Sequence, residues 1–112
     1  MSYSLLQASV LPLPDHWDRQ ADPLTWSWSE LTPLPPFVLA DGSGAQARQQ
    51  TALRLCHDGE RLYAHFTCED TDIWGSYTQR DDPLFDEEVV ELFLAPGGDT
   101  PTRYAEIEVS PN

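Results

Sequence analysis

Between Glu69 and Glu91 the chain gathers Glu69, Asp70, Asp72, Asp81, Asp82, Asp86, Glu87, Glu88 and Glu91, balanced only by Arg80. A hard cation such as calcium takes about six to eight oxygen ligands, and acids on loops beside strands supply them. The run Asp70-Thr71-Asp72-Ile73-Trp74-Gly75 imitates the start of an EF-hand loop. The imitation fails because Trp74 fills an oxygen-donor position, Asp81 stands where Glu is needed, and strands rather than helices flank it. The same loop carries Trp74, Tyr77 and Phe85. Aromatic faces beside carboxylates and a guanidinium meet the needs of a sugar site: the C–H face of a pyranose stacks on a ring while its hydroxyls donate to carboxylates and accept from Arg. The competing reading is that Trp74 or Phe85 plugs the end of a core, and that the acids are solvated.

Catalytic chemistry finds little support. A glycosidase needs two carboxyls roughly 5 to 10 Å apart, and nothing singles out such a pair among so many acids. Ser76 lacks the Gly-x-Ser-x-Gly context of a nucleophile elbow. Gly42-Ser43-Gly44 has no lysine and no strand-to-helix setting, so it is not a phosphate loop. His16, His57 and His65 are dispersed, with His57 expected at a turn and His65 on the solvated outer face of a sheet.

The elements that must position these residues are strands. In Thr51 to His57, Leu53 and Leu55 share a face; in Leu62 to Cys68, Leu62, Ala64, Phe66 and Cys68 do so, and Asp58-Gly59-Glu60-Arg61 makes the turn. Pairing Asp58 with Arg61 sets Leu55 opposite Ala64, Leu53 opposite Phe66 and Cys56 opposite Tyr63. Cys56 and Cys68 then lie on opposite faces, separated by roughly 16 Å of strand, much farther than a disulfide spans. Two free thiols are expected. A second hairpin pairs Val89 to Leu94 with Tyr104 to Val109, setting Leu92 near Ile107 and Glu91 directly against Glu108. Like charges opposed across strands are destabilising unless a cation sits between them, so Glu91 and Glu108 join Asp70, Asp72 and Asp81 as candidate metal ligands. A helix-start signature at Asp82-Pro83 competes, since Phe85, Val89 and Leu92 also fit helical spacing. A single helical turn feeding a strand satisfies both.

Upstream, Pro12, Pro14, Pro23, Pro33, Pro35 and Pro36 exclude long helices and central strands from the first third. Trp26 to Leu31 alternates in the manner of a short strand with an aromatic face, and Asp41 to Gln50 reads as a loop.

Composition narrows the function classes. The 112 residues suit at most one domain, and 11% aromatics with 40% hydrophobic residues are too many for a disordered tail. A net charge of -13, from nineteen acids against six arginines and no lysine, would repel phosphate backbones and anionic lipid surfaces. Nucleic acid and membrane partners are therefore not expected. No window approaches the roughly 18 apolar residues of a membrane helix, and the first fourteen residues do not read as a secretory signal. A soluble protein is expected; its compartment is unspecified, and free thiols fit a reducing one such as the cytoplasm.

Three stretches in order, Thr51 to Asp70, Arg80 to Leu94 and Tyr104 to Asn112, resemble the family 9 carbohydrate-binding modules and their wider family-9-like group. The likeness covers about Leu34 to Asn112. It implies an all-β, antiparallel β-sandwich of immunoglobulin or jelly-roll kind, calcium in some members, and sugar chain ends held between two aromatic rings. It also implies a non-catalytic module accompanying glycoside hydrolases in carbohydrate catabolism. Where the family has Asp-Pro-Trp this chain has Asp82-Pro83-Leu84-Phe85, so Phe85 stands as the platform, with Trp74 or Tyr77 flanking it. Arg80, Asp82, Asp86 and Glu88 are the expected polar contacts. On this reading residues 1–33 form a Pro-rich extension with a short edge strand. Residues 34–112 form the N-terminal part of the sandwich, whose open sheet would be covered by a further half beyond Asn112 or by a second copy in a homodimer. The alternative function is a structural or protein-interaction module without sugar affinity.

Overall fold

The structure, a computed structural model, describes residues 10–70, 72–84, 88–97 and 103–111. The chain forms two compact units, Met1–Glu69 and Asp70–Asn112. Its regular elements are strands and two single-turn 3-10 helices; there is no α-helix among the described residues. The fold is all-β, with one sheet of three strands and one of two.

In the first unit β1 (Leu11–Pro12) pairs in parallel with β2 (Thr51–His57), which pairs antiparallel with β3 (Leu62–Cys68). The β2–β3 register is the expected one: Leu53 faces Phe66, Leu55 faces Ala64 and Cys56 faces Tyr63. Its turn is built around one carboxylate. Asp58 Oδ1 accepts from the backbone N–H of Glu60 at 2.9 Å and of Arg61 at 2.7 Å, and Oδ2 accepts from the Tyr63 hydroxyl at 3.0 Å. These donors, the backbone pair foremost, hold the Asp58 carboxyl below its usual range. Gly59 follows at φ +91°, a conformation that excludes most side chains.

The core of this unit lies on the face that alternation assigned to solvent. Leu13, Trp17, Trp26, Trp28 and Leu31 from the proline-rich segment bury Cys56 completely, with Tyr63 packed against them. On the opposite face Leu53 is buried, Leu55 and Phe66 are half-buried, and Leu62, Ala64 and Cys68 stay exposed. Both cysteines are free. Desolvation, followed by the charge of Asp58, pushes the buried Cys56 thiol up from its ordinary value.

Two expectations are corrected here. Trp26 to Leu31 is not a strand: 3-10 turns span Pro23–Thr25 and Trp28–Glu30, joined by Trp26 and Ser27. Asp22 caps the first turn by accepting from Leu24 N at 2.9 Å, with Pro23 at its first position, the arrangement that proline's fixed φ favours. Both rings still point inward, because the extended Trp26 lies between two tight turns, and the indoles satisfy themselves locally. Trp26 Nε1 donates to Asp18 O at 2.9 Å, Trp28 Nε1 to Pro23 O at 2.8 Å, and Trp17 Nε1 to Glu30 Oε2 at 3.1 Å. His65 is likewise not solvated. It stacks on Trp28 at 4.8 Å with the rings 13° from parallel, and its Nδ1 is buried without a partner. Desolvation, then the Arg54 charge, lowers its pKa from the ordinary imidazole value.

In the second unit β4 (Val90–Leu94) pairs antiparallel with β5 (Ala105–Val109), with Leu92 opposite Ile107 and Glu91 opposite Glu108. The strand reading of this segment therefore holds over the helical one; β-branched residues and the following Pro96 favour an extended chain. Among the described residues no helix is long and apolar enough to cross a membrane.

Candidate functional site

Two groupings in the second unit carry the chemistry. The first is the loop from Asp70 to Asp82 together with Glu88. Asp70 Oδ1 accepts from Asp72 N at 2.9 Å, and Glu88 Oε2 accepts from Trp74 N at 3.3 Å. A hydrogen bond with Asp70 is the largest influence on Glu88 and, with desolvation and the charges of Asp70 and Asp72, raises its pKa above the ordinary carboxylate value. Asp70, Asp72 and Glu88 thus form a neighbourhood of mutually repelling acids beside the backbone of Trp74. The Trp74 side chain is 48% exposed, whereas the other three tryptophans are 7–8% exposed. Tyr77 is half-buried and Arg80 is exposed. Asp82 Oδ2 accepts from Gln79 N at 2.8 Å, tying the turn that places Asp81 at φ +65°. Phe85 and Asp86, the expected platform and one of its polar partners, lie outside the described residues.

The second grouping is one face of the β4–β5 hairpin. Side chains alternate across a strand, so the register that puts Glu91 opposite Glu108 also puts Phe93 opposite Glu106 on the same face. Carboxylate oxygens of Glu91, Glu106 and Glu108 all come within 4.8 Å of one another. Sharing a hydrogen bond with Glu106, and then desolvation and the charges of Glu106 and Glu91, push Glu108 up to about 7. The expected set Asp70, Asp72, Asp81, Glu91 and Glu108 does not appear as one cluster. Glu91 and Glu108 are joined instead by Glu106, whose two-residue spacing from Glu108 on an alternating strand was the signal for it.

The triad suits a hard cation. Three carboxylate oxygens within 4.8 Å of one another are near the spacing that ligands of one calcium ion adopt at its usual distance of about 2.3 to 2.6 Å, with water completing the shell. No described arginine forms an ion pair with these acids; the ion pair found among the described residues is His16 with Glu30 at 2.7 Å.

No protein-family model, curated protein or solved structure matches this chain.

Proposed function

We propose that the chain is a non-catalytic, carbohydrate-binding-like domain of β-sandwich type whose sugar contact centres on Trp74. One contrast carries the reading. Three tryptophans are spent on a buried cluster, while the fourth presents about half of its surface to solvent beside Glu88, Asp70 and Asp72. A large exposed ring on a residue whose backbone N–H meets a carboxylate brings a stacking surface and acceptor oxygens to one region, as a pyranose needs to stack by its C–H face and donate from its hydroxyls. The resemblance of Thr51 to Asp70, Arg80 to Leu94 and Tyr104 to Asn112 to the family 9 modules supports the same reading. Phe85, Tyr77, Arg80, Asp82, Asp86 and Glu88 are its further contacts. Calcium belongs to it as a stabilising ion for which Glu91, Glu106 and Glu108 are a suitable donor set; it would supply charge neutralisation between two strands.

Titration with mono- and oligosaccharides, followed by tryptophan fluorescence with and without calcium, tests the reading. A saturable change that disappears in Trp74→Ala is expected. No change at millimolar sugar under either condition would sink it.

A second reading, a structural or protein-interaction module, is favoured by a different observation. Apolar side chains stand exposed on both sheets, Leu62 on β3 and Ile107 and Val109 on β5. Scattered exposed apolar residues need no explanation, but contiguous ones mark contact surfaces.

A further inference from the structure

We infer that the Glu91–Phe93–Tyr104–Glu106–Glu108 face of the β4–β5 hairpin is a docking surface for an extended polypeptide segment bearing arginines two residues apart. This goes beyond the sugar reading and shares with it only the carboxylates offered to calcium; it gives the interaction reading a place and a partner chemistry.

The face has two halves. At one end Phe93 and Tyr104 form an aromatic pair with ring centroids 6.1 Å apart and tilted 49°, and they are 55% and 63% exposed. Glu106 sits directly across from Phe93. At the other end Glu91 and Glu108 oppose each other and draw in Glu106. Exposed rings in contact with each other, rimmed by carboxylates, offer a cation both a π face and charged acceptors.

The choice of occupant follows from charge and shape. A second copy of this chain would bring another net charge of -13, and anionic polymers or lipid surfaces would be repelled in the same way. A metal ion is attracted by the three carboxylates but gains little from the neighbouring rings, since hard cations prefer oxygen. A guanidinium uses both halves: its plane stacks on Phe93 or Tyr104 while its fork pairs with a carboxylate, which the compact ammonium of lysine does less well. Residues two apart on a strand are separated by roughly 6.6 to 6.8 Å. From Tyr104, just before β5, that step leads to Glu106 and again to Glu108. An extended segment with an Arg-x-Arg spacing therefore places one guanidinium over the aromatic pair beside Glu106 and the next between Glu91 and Glu108. The second would relieve the repulsion among three carboxylates held within 4.8 Å of one another.

The test uses the full chain, isotopically labelled, titrated with a hexapeptide alternating Arg and Thr and, in parallel, with its Glu–Thr counterpart. Saturable amide shifts centred on Glu91, Phe93, Tyr104, Glu106 and Glu108 are expected with the arginine peptide alone. Affinity should fall at least fivefold in Phe93→Ala and in Glu106→Gln, with the cross-strand proton contacts of β4 and β5 retained as proof that the hairpin is folded. Competition by calcium would support the shared carboxylates. Shifts spread over acids throughout the chain, or unaffected by Phe93→Ala, would mean diffuse charge attraction and overturn the proposal. So would calcium binding at the triad without any peptide binding. Sugar titrations of Phe93→Ala, whose side chain belongs to neither the Trp74 site nor the carboxylate triad, should be unaltered, which separates failure of this surface from failure of the Trp74 site.

Discussion

Replacing Trp28 and Trp74 separately by alanine asks whether this chain divides its tryptophans between core and contact surface. Trp28 is 7% exposed, packs edge-on against Trp17 at 5.4 Å, lies 5.9 Å from Trp26, and stacks on His65. A buried tryptophan removes about 150 to 250 Å² from water, which at about 25 cal/mol per Å² amounts to about 4 to 6 kcal/mol. Large-to-small substitutions of buried aromatics cost about 3 to 5 kcal/mol, in agreement. Loss of the indole also leaves Pro23 O without its 2.8 Å donor. Against a total of about 5 to 15 kcal/mol for an ordinary domain, Trp28→Ala should remove a large share of the first unit's stability. Trp74→Ala, at a half-exposed position, should stay within about 0.5 kcal/mol of the parent. Urea denaturation followed by near-ultraviolet circular dichroism measures both. The imidazole gives a second readout, because exposing His65 should return its pKa toward the ordinary value. A cost below about 1 kcal/mol for Trp28→Ala, or equal costs for the two variants, would refute the division of roles.

Other outcomes follow from the same geometry. The Glu108 carboxyl, raised from 4.5 to about 7, is easier to ionise in the unfolded chain, so its contribution to stability should decline as pH rises from about 4.5 through 7. Glu108→Gln should remove that decline in denaturation curves measured across this window, and an undiminished slope would contradict it. His65 titrates in the opposite sense: its lowered pKa means that the native state resists protonation, so stability should be complete above pH 6.5 and fall below it. His65→Phe should flatten that acid limb, and a directly measured His65 pKa at or above 6.5 would count against the buried, unpartnered Nδ1. A thiol reagent should modify the exposed Cys68 promptly and the buried Cys56 only on unfolding; equal rates would mean that the tryptophan layer does not seal β2.

Much of the backbone was legible because strands obey a period of two and short turns obey known chemistry. The Asp58-Gly59-Glu60-Arg61 turn and the aliphatic alternation fixed the β2–β3 register residue by residue, and the same reasoning opposed Glu91 to Glu108. The aromatic-acid loop was harder. Asp70, Asp72, Trp74 and Glu88 do come together, but Asp81 takes its own turn, and Phe85 and Asp86 lie outside the described residues. Glu106 joins Glu91 and Glu108 as a neighbour along one strand face, two residues from Glu108, a relation that direct cross-strand opposition does not reveal.

The sequence by itself determined the four hairpin strands, their pairing within each hairpin and the free thiols, all consequences of local periodicity and of distances along the chain. Tertiary structure alone decided which face of β2–β3 is core. Alternation marks two faces without saying what will cover them. The cover came from Leu13, Trp17, Trp26, Trp28 and Leu31 in a segment whose prolines and tight turns carry no period at all. Pattern gives Leu13 and Trp17 no element and places Trp26, Trp28 and Leu31 in a strand where the chain instead makes 3-10 turns. Burial of Cys56 and stacking on His65 follow from that cover, because hydrophobic contact between segments distant in sequence is non-directional and leaves no spacing to read.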